Sequence, residues 1–85
     1  MQEFQSKSLL YTLEKDASYV VTRMFTDFYG NVFSLGEVLT YSERHFQPYD
    51  GGHTLVFKER NIYLQEEENR GIIDSFAEYL SRAGG

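Results

Sequence analysis

The chain has 85 residues, 41% hydrophobic and 25% charged, a composition that is typical of a folded domain and excludes a disordered chain. It has no cysteine, which excludes disulfide bonds and thiolate chemistry. The net charge of −5, with no cluster of Lys and Arg, argues against nucleic acid and anionic membranes as partners. The length predicts a single domain, residues 1–85, and the lack of a long apolar run predicts a cytoplasmic location.

The first third of the chain contains one clear strand pattern. Residues 1–13 fit neither the helical nor the strand period, and we interpret them as a loose N-terminal arm or a short helix. Residues 14–16 predict a turn. Residues 18–26 are dense in β-branched and aromatic side chains and predict a strand. Residues 27–31, with Gly30 free to take a positive φ, predict the turn that follows.

Further extended segments follow, and together they predict the fold. Residues 32–35 and 37–46 continue the extended pattern, and residues 47–52 (Gln-Pro-Tyr-Asp-Gly-Gly) are the strongest turn-forming cluster. Residues 54–57 and 62–65 predict two more strands. Because no helical pattern separates the strands, their pairing must be antiparallel. The predicted fold class is β-rich α+β: about 4–5 short strands within residues 18–65, in a strongly bent antiparallel sheet or SH3-like barrel.

The end of the chain shows helical periodicity. Residues 69–82 predict a C-terminal amphipathic helix with Asn69 as its N-cap, and the preceding glutamates favour the positive end of the helix dipole. We expect the apolar face to cover the sheet. The side chains of that face are Ile72, Ile73, Phe76, Ala77, Tyr79 and Leu80.

Two histidines flank the turn cluster and raise the question of a metal site. His45 and His53, with Glu43 and Asp50 nearby, are compatible with a small metal-binding protein or enzyme. The spacing of the two histidines matches no common zinc pattern, and two solvated loop histidines are the favoured interpretation. The chain also lacks a nucleophile elbow and a glycine-rich phosphate loop. We therefore predict no catalytic residue, no cofactor and no bound metal, and expect that the protein is not an enzyme.

An acidic row precedes the predicted helix. Residues 66–68 are three consecutive glutamates and are interpreted first as a solvated cluster at the helix N-terminus. The row also supports a second hypothesis, an acidic immunity- or antitoxin-like inhibitor that blocks a basic partner. Binding of that kind would depend strongly on salt.

Aromatic residues in two loops are the leading candidates for a site. Phe28 and Tyr29 lie beside Gly30, while Phe46, Pro48 and Tyr49 lie at or within the turn cluster. One interpretation is that these side chains plug the ends of a small barrel. The other is that both loops lie at one rim and form an apolar patch that binds a protein or peptide. The main hypothesis is thus a non-catalytic interaction module, either a monomer or a homodimer paired through strand edges.

Several short blocks of sequence carry a resemblance to a known family: residues 13–15, 19–21, 25–27 with Gly30, 36–39, 48–55 and 62–65, and the predicted helix. With them, the chain resembles a family of short, uncharacterised bacterial proteins of about this size, a domain of unknown function, which implies no activity and no site residues. Where that family has glycine after Leu-Glu-Lys, this chain has Asp16. The arrangement also looks like SH3-type barrels, whose functions vary widely.

Overall fold

The computed structural model describes residues 8–84, which form two antiparallel sheets, one α-helix and two 3-10 turns. The five-stranded sheet has strand order β6-β5-β4-β1-β7, and β2 pairs with β3 in a two-stranded sheet. The prediction of a β-rich antiparallel fold is confirmed. The strands are β1 Ser18–Val21, β2 Phe25–Thr26, β3 Val32–Phe33, β4 Val38–Gln47, β5 Gly52–Phe57, β6 Asn61–Gln65 and β7 Leu80–Arg82; the helix is α1 Arg70–Asp74, and the 3-10 turns are Leu9–Tyr11 and Phe76–Glu78.

The sheet is not closed, so the SH3-like barrel is wrong. β6 and β7 are the two edges of the five-stranded sheet and do not pair with each other. β4 pairs first with β1 and then with β5, and its register to β5 shifts between Tyr41 and Glu43. A bulge of this kind bends a strand and increases its twist. The long strand β4 therefore pairs with β1 on one side and with β5 on the other, and the sheet stays open.

One cluster of buried side chains forms the core. Burial alternates along β1, β5 and β6, as expected for strands with one covered face. Burial also raises the pKa of the Tyr41 phenol. The fully buried side chains are Leu10, Phe33, Leu39, Leu55, Ile62, Phe76 and Leu80.

Of the two interpretations of the N-terminal segment, residues 8–13 contain a short 3-10 helix, Leu9–Tyr11, and are not a loose arm, while residues 1–7 lie outside the described residues. Leu10 is fully buried on the first 3-10 turn. The Ser8 hydroxyl donates to the carbonyl of Ile73 and accepts a hydrogen bond from the Leu10 N–H. Burial of one leucine and these hydrogen bonds fix the segment against the C-terminal region, although its sequence has no clear period.

The strand predicted over residues 18–26 is broken. Tyr19 and Val21 are buried, and strict alternation would place Arg23 on the same face. Arg23 is instead exposed, and its guanidinium lies 5.2 Å from the ring centroid of Tyr79. The chain leaves the sheet after β1 because a charged side chain cannot enter the core unpaired. It becomes extended again at Phe25, which is buried.

The helix predicted over residues 69–82 is also wrong in extent. Only Arg70–Asp74 is α-helical, and the chain returns to the sheet as β7. The N–H of Thr22 donates to the Tyr79 carbonyl at 2.8 Å, and β7 pairs along β1. A short isolated helix is marginal in water, so pairing with the open β1 edge decides the conformation. Most of the predicted apolar face still points inward: Ile73, Phe76 and Leu80 are buried, Ile72 and Tyr79 are partly buried, and Ala77 is exposed.

Asp16 occupies the position at which the resembled family has glycine. Its φ is 69°, and it is the one non-glycine residue with positive φ in the described part of the chain. Aspartate tolerates this left-handed region better than most residues, and glycine adopts it without steric cost. The backbone at this turn therefore has the conformation that glycine favours.

Glu59 joins the β5–β6 turn to β4 through hydrogen bonds. These hydrogen bonds predict that the stability of the protein depends on pH. The Glu59 carboxylate accepts hydrogen bonds from the Thr40 N–H at 2.7 Å and the Thr40 hydroxyl at 2.9 Å. The hydrogen bond from the Thr40 N–H lowers the pKa of Glu59. Because the folded pKa lies below the unfolded one, this stabilisation is present above the unfolded pKa. It is lost as the pH falls through the folded pKa.

We expect Glu59→Ala to lower the free energy of unfolding by about 1 kcal/mol near pH 7, because Thr40 loses a charged acceptor at an exposed site. Near about pH 3, below the unfolded pKa, the difference from wild type should be smaller, because the stabilisation is lost as the pH falls towards the folded pKa of Glu59. Urea denaturation of both proteins at both pH values measures the difference in the free energy of unfolding. Glu67→Ala, at an exposed position, is the control and should change stability little. An equal loss at both pH values would contradict the role of the ionised carboxylate.

Candidate functional site

The loop that carries Phe28 and Tyr29 is held by the buried carboxylate of Asp27, which is 4% exposed. Oδ1 accepts from the backbone N–H groups of Tyr29 and Asn31 at 3.0 and 2.9 Å. Oδ2 accepts from Asn31 Nδ2 and from the Tyr63 N–H, both at 3.1 Å. The Phe28 N–H donates to the Tyr63 carbonyl at 2.7 Å. The β2–β3 loop is therefore fixed to the outer edge of β6.

The two aromatic rings of this loop lie on the surface. Tyr29 is 68% exposed and Phe28 is 42% exposed. The Tyr29 ring packs edge-on against Tyr63 at a centroid distance of 5.0 Å, and against Phe28 at 5.2 Å. Since the backbone is fixed through Asp27, the rings are held in position without being buried.

The second aromatic loop connects β4 to β5. Tyr49 at its tip is fully exposed, so it does not plug the core. Gly51 has a φ of +66°, which the turn requires and which glycine adopts without strain. Phe46 lies before the loop, in β4, and its ring contacts His53 at a centroid distance of 4.8 Å. The two loops thus present Phe28, Tyr29 and Tyr49 to solvent.

The strand register determines which residues of β5 and β6 face these loops. His53 opposes Leu64 and is buried with it, so both lie on the core face. Side chains alternate between the two faces of a strand. Thr54, which opposes Tyr63, and Gln65 therefore lie on the other face. This outer face forms the floor between the two loops.

The loops and the outer face line two adjoining cavities, which together form one cleft with an inner and an outer part. The inner pocket has a volume of about 330 Å³, and the outer cleft has a volume of about 720 Å³. The two parts share Phe28, Tyr29, Asp50 and Gln65. The inner pocket is further lined by Gln47, Gly52, His53, Thr54, Tyr63 and Leu64, and the outer cleft by Pro48, Tyr49, Gly51 and Glu66, Glu67 and Glu68.

Four of the five residues predicted from sequence line this cleft: Phe28, Tyr29, Pro48 and Tyr49. Phe46 does not line it, because its position opposite His53 places it on the other side of the sheet. The structure therefore brings the two aromatic loops to one rim. Whether a partner binds there stays a prediction.

Sequence reasoning missed the floor of the cleft. Thr54, Tyr63 and Gln65 alternate with buried residues along β5 and β6, which marks them as outer-face positions. That alternation does not reveal which loop lies above them. Gly52 keeps the floor open, since a methyl group there would lie 3.2 Å from Gln65 Nε2 and 3.6 Å from Asp50 Oδ1.

The acidic row also has a different setting from the predicted one. Glu66, Glu67 and Glu68 line the outer cleft, and α1, which follows, has only five residues. Asn69 makes no side-chain capping bond to that helix, and its Oδ1 accepts instead from the Gln65 N–H at 2.8 Å. The three carboxylates thus belong to the rim of the cleft rather than to a long helix.

His45 and His53 do not form a joint site. His45 opposes Thr54 and His53 opposes Phe46, so the two side chains project from opposite faces of the hairpin. His45 is exposed beside Glu43, with Nε2 3.1 Å from Oε2. Within residues 8–84, no group of three or more His, Cys, Asp or Glu side chains could hold a metal ion. The geometry gives no support to chemistry that needs both histidines.

His53 belongs to the strand that lines the inner pocket, but its ring lies on the core face of the sheet with Phe46 and Leu64. It is 2% exposed, and its Nε2 lies 3.2 Å from Glu66 Oε2. The rings of Tyr11 and Phe46 pack against it. Its Nδ1 has no hydrogen-bond partner among the described residues.

Comparison with known proteins supports the fold and assigns no activity. No protein-family model matches the sequence, and no curated protein is similar to it. A solved structure of an integron cassette protein from the mobile metagenome of Vibrio cholerae is similar, with a TM-score of 0.79 and 24% sequence identity over 85% of this chain and 90% of that one. The resemblance to small bacterial proteins is thus supported in general terms. Separately, no helix within residues 8–84 has the length and apolarity needed to cross a membrane.

Proposed function

We propose that this protein is a non-catalytic interaction module that binds a protein or peptide in the cleft between the β2–β3 and β4–β5 loops. The observation that carries the proposal is the convergence of the two aromatic loops at one rim, with Tyr29 and Tyr49 largely or fully exposed. Exposed aromatic rings around a concave surface favour binding, because tyrosine supplies a large contact area at low entropic cost.

The anchoring of the loops supports this proposal. Asp27 and the Phe28 N–H fix one loop to Tyr63, and the strand pairing of Gly52 with Gln65 fixes the base of the other. A site that is held before binding loses less conformational entropy when a partner binds. The floor supplies hydroxyl and amide groups from Thr54, Tyr63 and Gln65, which can hydrogen-bond to an extended peptide.

Selection from a random peptide library displayed on phage tests the proposal. We expect peptides selected on the wild-type protein to lose about tenfold or more in affinity for a Tyr29→Ser, Tyr49→Ser double variant, since loss of even one hot-spot tyrosine commonly costs about 1.4 kcal/mol or more, which is tenfold. Because both side chains are exposed, the double variant should keep its thermal stability.

A matched control and a contrary outcome complete the test. The control is Tyr11→Ser, which removes another exposed tyrosine that lies outside the cleft lining. Selected peptides should bind this variant as tightly as wild type. Peptides that bind wild type and the cleft variant equally well would show that the cleft is not the interaction site.

The second candidate function is an acidic, immunity- or antitoxin-like inhibitor of a basic protein. One observation favours it: Glu66, Glu67 and Glu68 line the same outer cleft as Tyr49. Inhibition of this kind is distinguished by its target, a complete basic protein whose activity falls on binding, and by strong weakening at high salt. A purely aromatic interaction would change little with salt.

A further inference from the structure

We propose that the Asp50–Gly51 bond in the β4–β5 loop is a modification site, at which the aspartyl residue rearranges spontaneously to isoaspartate through a cyclic imide. The modification needs no ligand and no partner, so it does not depend on the proposed function. Three observations carry it: the residue that follows Asp50, the lack of hydrogen bonds at this pair, and the hydrogen bonds that hold the other aspartates of the chain.

The reaction uses only the two residues and water. The backbone nitrogen of Gly51 attacks Cγ of the protonated Asp50 carboxyl. An N–Cγ bond forms, a C–O bond of the carboxyl breaks, and the departing hydroxyl leaves as water with the proton of the N–H. Water then adds to the α-carbonyl carbon of the imide and breaks its bond to the nitrogen. The chain is now joined through the side chain, with a free α-carboxylate, and no atom has been oxidised or reduced.

The residue after Asp50 offers little steric hindrance to this attack. Gly51 has no Cβ, so its nitrogen can approach a neighbouring carboxyl closely. The Asp50 carboxyl is directed toward the residues that follow it, because a methyl group placed on Gly52 would lie 3.6 Å from Asp50 Oδ1. A nucleophile and its target that are already neighbours react much faster than separate molecules do.

Neither reacting group of this pair is hydrogen-bonded within residues 8–84. Asp50 is exposed, and its carboxylate accepts no hydrogen bond from that part of the chain. The Gly51 N–H donates to no acceptor there either. The two groups can therefore turn toward each other without losing a hydrogen bond of the fold.

Hydrogen bonds hold the other three aspartates away from this reaction. In each case the N–H of the following residue donates to a backbone carbonyl, and that residue carries a side chain that hinders the approach. Asp27 is also buried, and its carboxylate is engaged by the β2–β3 loop. The three hydrogen bonds run from the Ala17 N–H, after Asp16, to the Glu14 carbonyl at 3.1 Å, from the Phe28 N–H, after Asp27, to the Tyr63 carbonyl at 2.7 Å, and from the Ser75 N–H, after Asp74, to the Gly71 carbonyl at 3.1 Å.

Isoaspartate changes the loop that lines the cleft. Asp50 lines both parts of the cleft, and the rearrangement adds one carbon atom to the backbone between Tyr49 and Gly51. The Gly51 carbonyl accepts a hydrogen bond from the Glu66 N–H at 2.9 Å, which joins this loop to the end of β6. We therefore expect the amide signals of Gly51 and Glu66 to shift in NMR spectra of the modified protein.

Incubation of the folded protein in mildly acidic H₂¹⁸O at physiological temperature tests the proposal. Protein isoaspartyl methyltransferase, with S-adenosylmethionine, measures the free α-carboxylate. Mass spectrometry of proteolytic peptides locates the ¹⁸O that hydrolysis of the imide introduces. We expect isoaspartate at position 50 to form at least about tenfold faster than at positions 16, 27 and 74.

Two variants show which aspartate is responsible. Asp50→Glu keeps the charge, but attack on its longer side chain must close a larger ring, so methyl acceptance should fall about tenfold or more. The matched control is Asp74→Glu, also at an exposed position, where the following N–H is hydrogen-bonded. It should accept methyl groups at the wild-type rate. Methyl acceptance by Asp50→Glu that equals wild type would overturn the proposal.

Two synthetic peptides separate the effect of the fold from that of the sequence. They repeat residues 47–53 and 71–77. We expect Asp50 to react in the folded protein within about tenfold of its peptide, and Asp74 to react more slowly in the fold than in its peptide. If Asp50 in the folded protein is more than about a hundredfold slower than its peptide, the fold protects the bond and the proposal is wrong. None of these measurements involves binding in the cleft, so the proposed function is tested separately.

Discussion

Replacement of Asp27 by alanine is expected to lower the free energy of unfolding by about 3–4 kcal/mol. Four donors lose their acceptor at once: the backbone N–H groups of Tyr29, Asn31 and Tyr63, and the Asn31 side-chain amide. Hydrogen bonds to a charged group contribute about 1.5–3 kcal/mol each, but they are not additive, and donors near the surface regain water. Urea denaturation followed by far-UV circular dichroism measures the loss.

Two further variants show whether the carboxylate itself is responsible. Asp27→Asn keeps one carbonyl oxygen but directs an NH₂ group at two of the donors, so we expect an intermediate loss of about 2 kcal/mol. Asp50→Ala removes an exposed carboxylate that makes no hydrogen bond within residues 8–84, and should stay within about 0.5 kcal/mol of wild type. A loss below about 1 kcal/mol for Asp27→Ala would contradict its role as the anchor of the loop.

Phe76→Ala is the second change with a large expected effect, about 3–4 kcal/mol of unfolding free energy. Phe76 is fully buried on the 3-10 turn between α1 and β7, with its ring edge-on to Phe25 at 6.4 Å. Truncating a buried phenylalanine loses its transfer free energy and leaves a cavity. Thermal and urea denaturation measure the change.

The matched control for Phe76→Ala is Ala77→Ser, an exposed position on the same 3-10 turn, which should change stability little. The comparison tests whether the end of the chain is part of the core. If Phe76→Ala behaves like Ala77→Ser, residues 70–82 do not contribute to the common core.

The central hairpins could be predicted from sequence because their signals are local. Residues 54–57 and 62–65 are rich in β-branched, aromatic and other apolar side chains, and the turn cluster at 47–52 separates β4 from β5. A strand with one covered face can be recognised from its own few residues and from the turn that follows it. Their existence and antiparallel pairing are confirmed, with boundaries that differ by one or two residues.

The C-terminal segment could not be predicted because two conformations fit its sequence. Both a helix and the observed chain of α1, 3-10 turn and β7 bury Ile73, Phe76 and Leu80. The choice depends on the open edge of β1, about sixty residues earlier, where β7 pairs. Local periodicity carries no information about such an edge.

The sequence predicted the residues of the candidate site, but it did not predict the contacts that bring the two loops together. Turn chemistry and exposed aromatics identified both loops. Their convergence depends on the bond from the Tyr63 N–H to Asp27, which joins residues 36 positions apart. The aspartate itself looked like an ordinary turn residue. Nothing in the local pattern of residues 27–31 distinguishes a buried carboxylate that anchors a loop from a solvated one.

The attachment of the β2–β3 loop to β6 also covers backbone groups at one edge of the five-stranded sheet. Asp27 and Phe28 occupy the edge backbone groups of Tyr63, and Asn69 occupies those of Gln65. An uncovered strand edge recruits strands from other copies, especially beside exposed aromatic rings. Variants that release this loop should therefore form aggregates on storage or heating sooner than equally destabilised variants in which the loop stays attached. The segment that presents the aromatic rings is thus also the one that covers part of this strand edge.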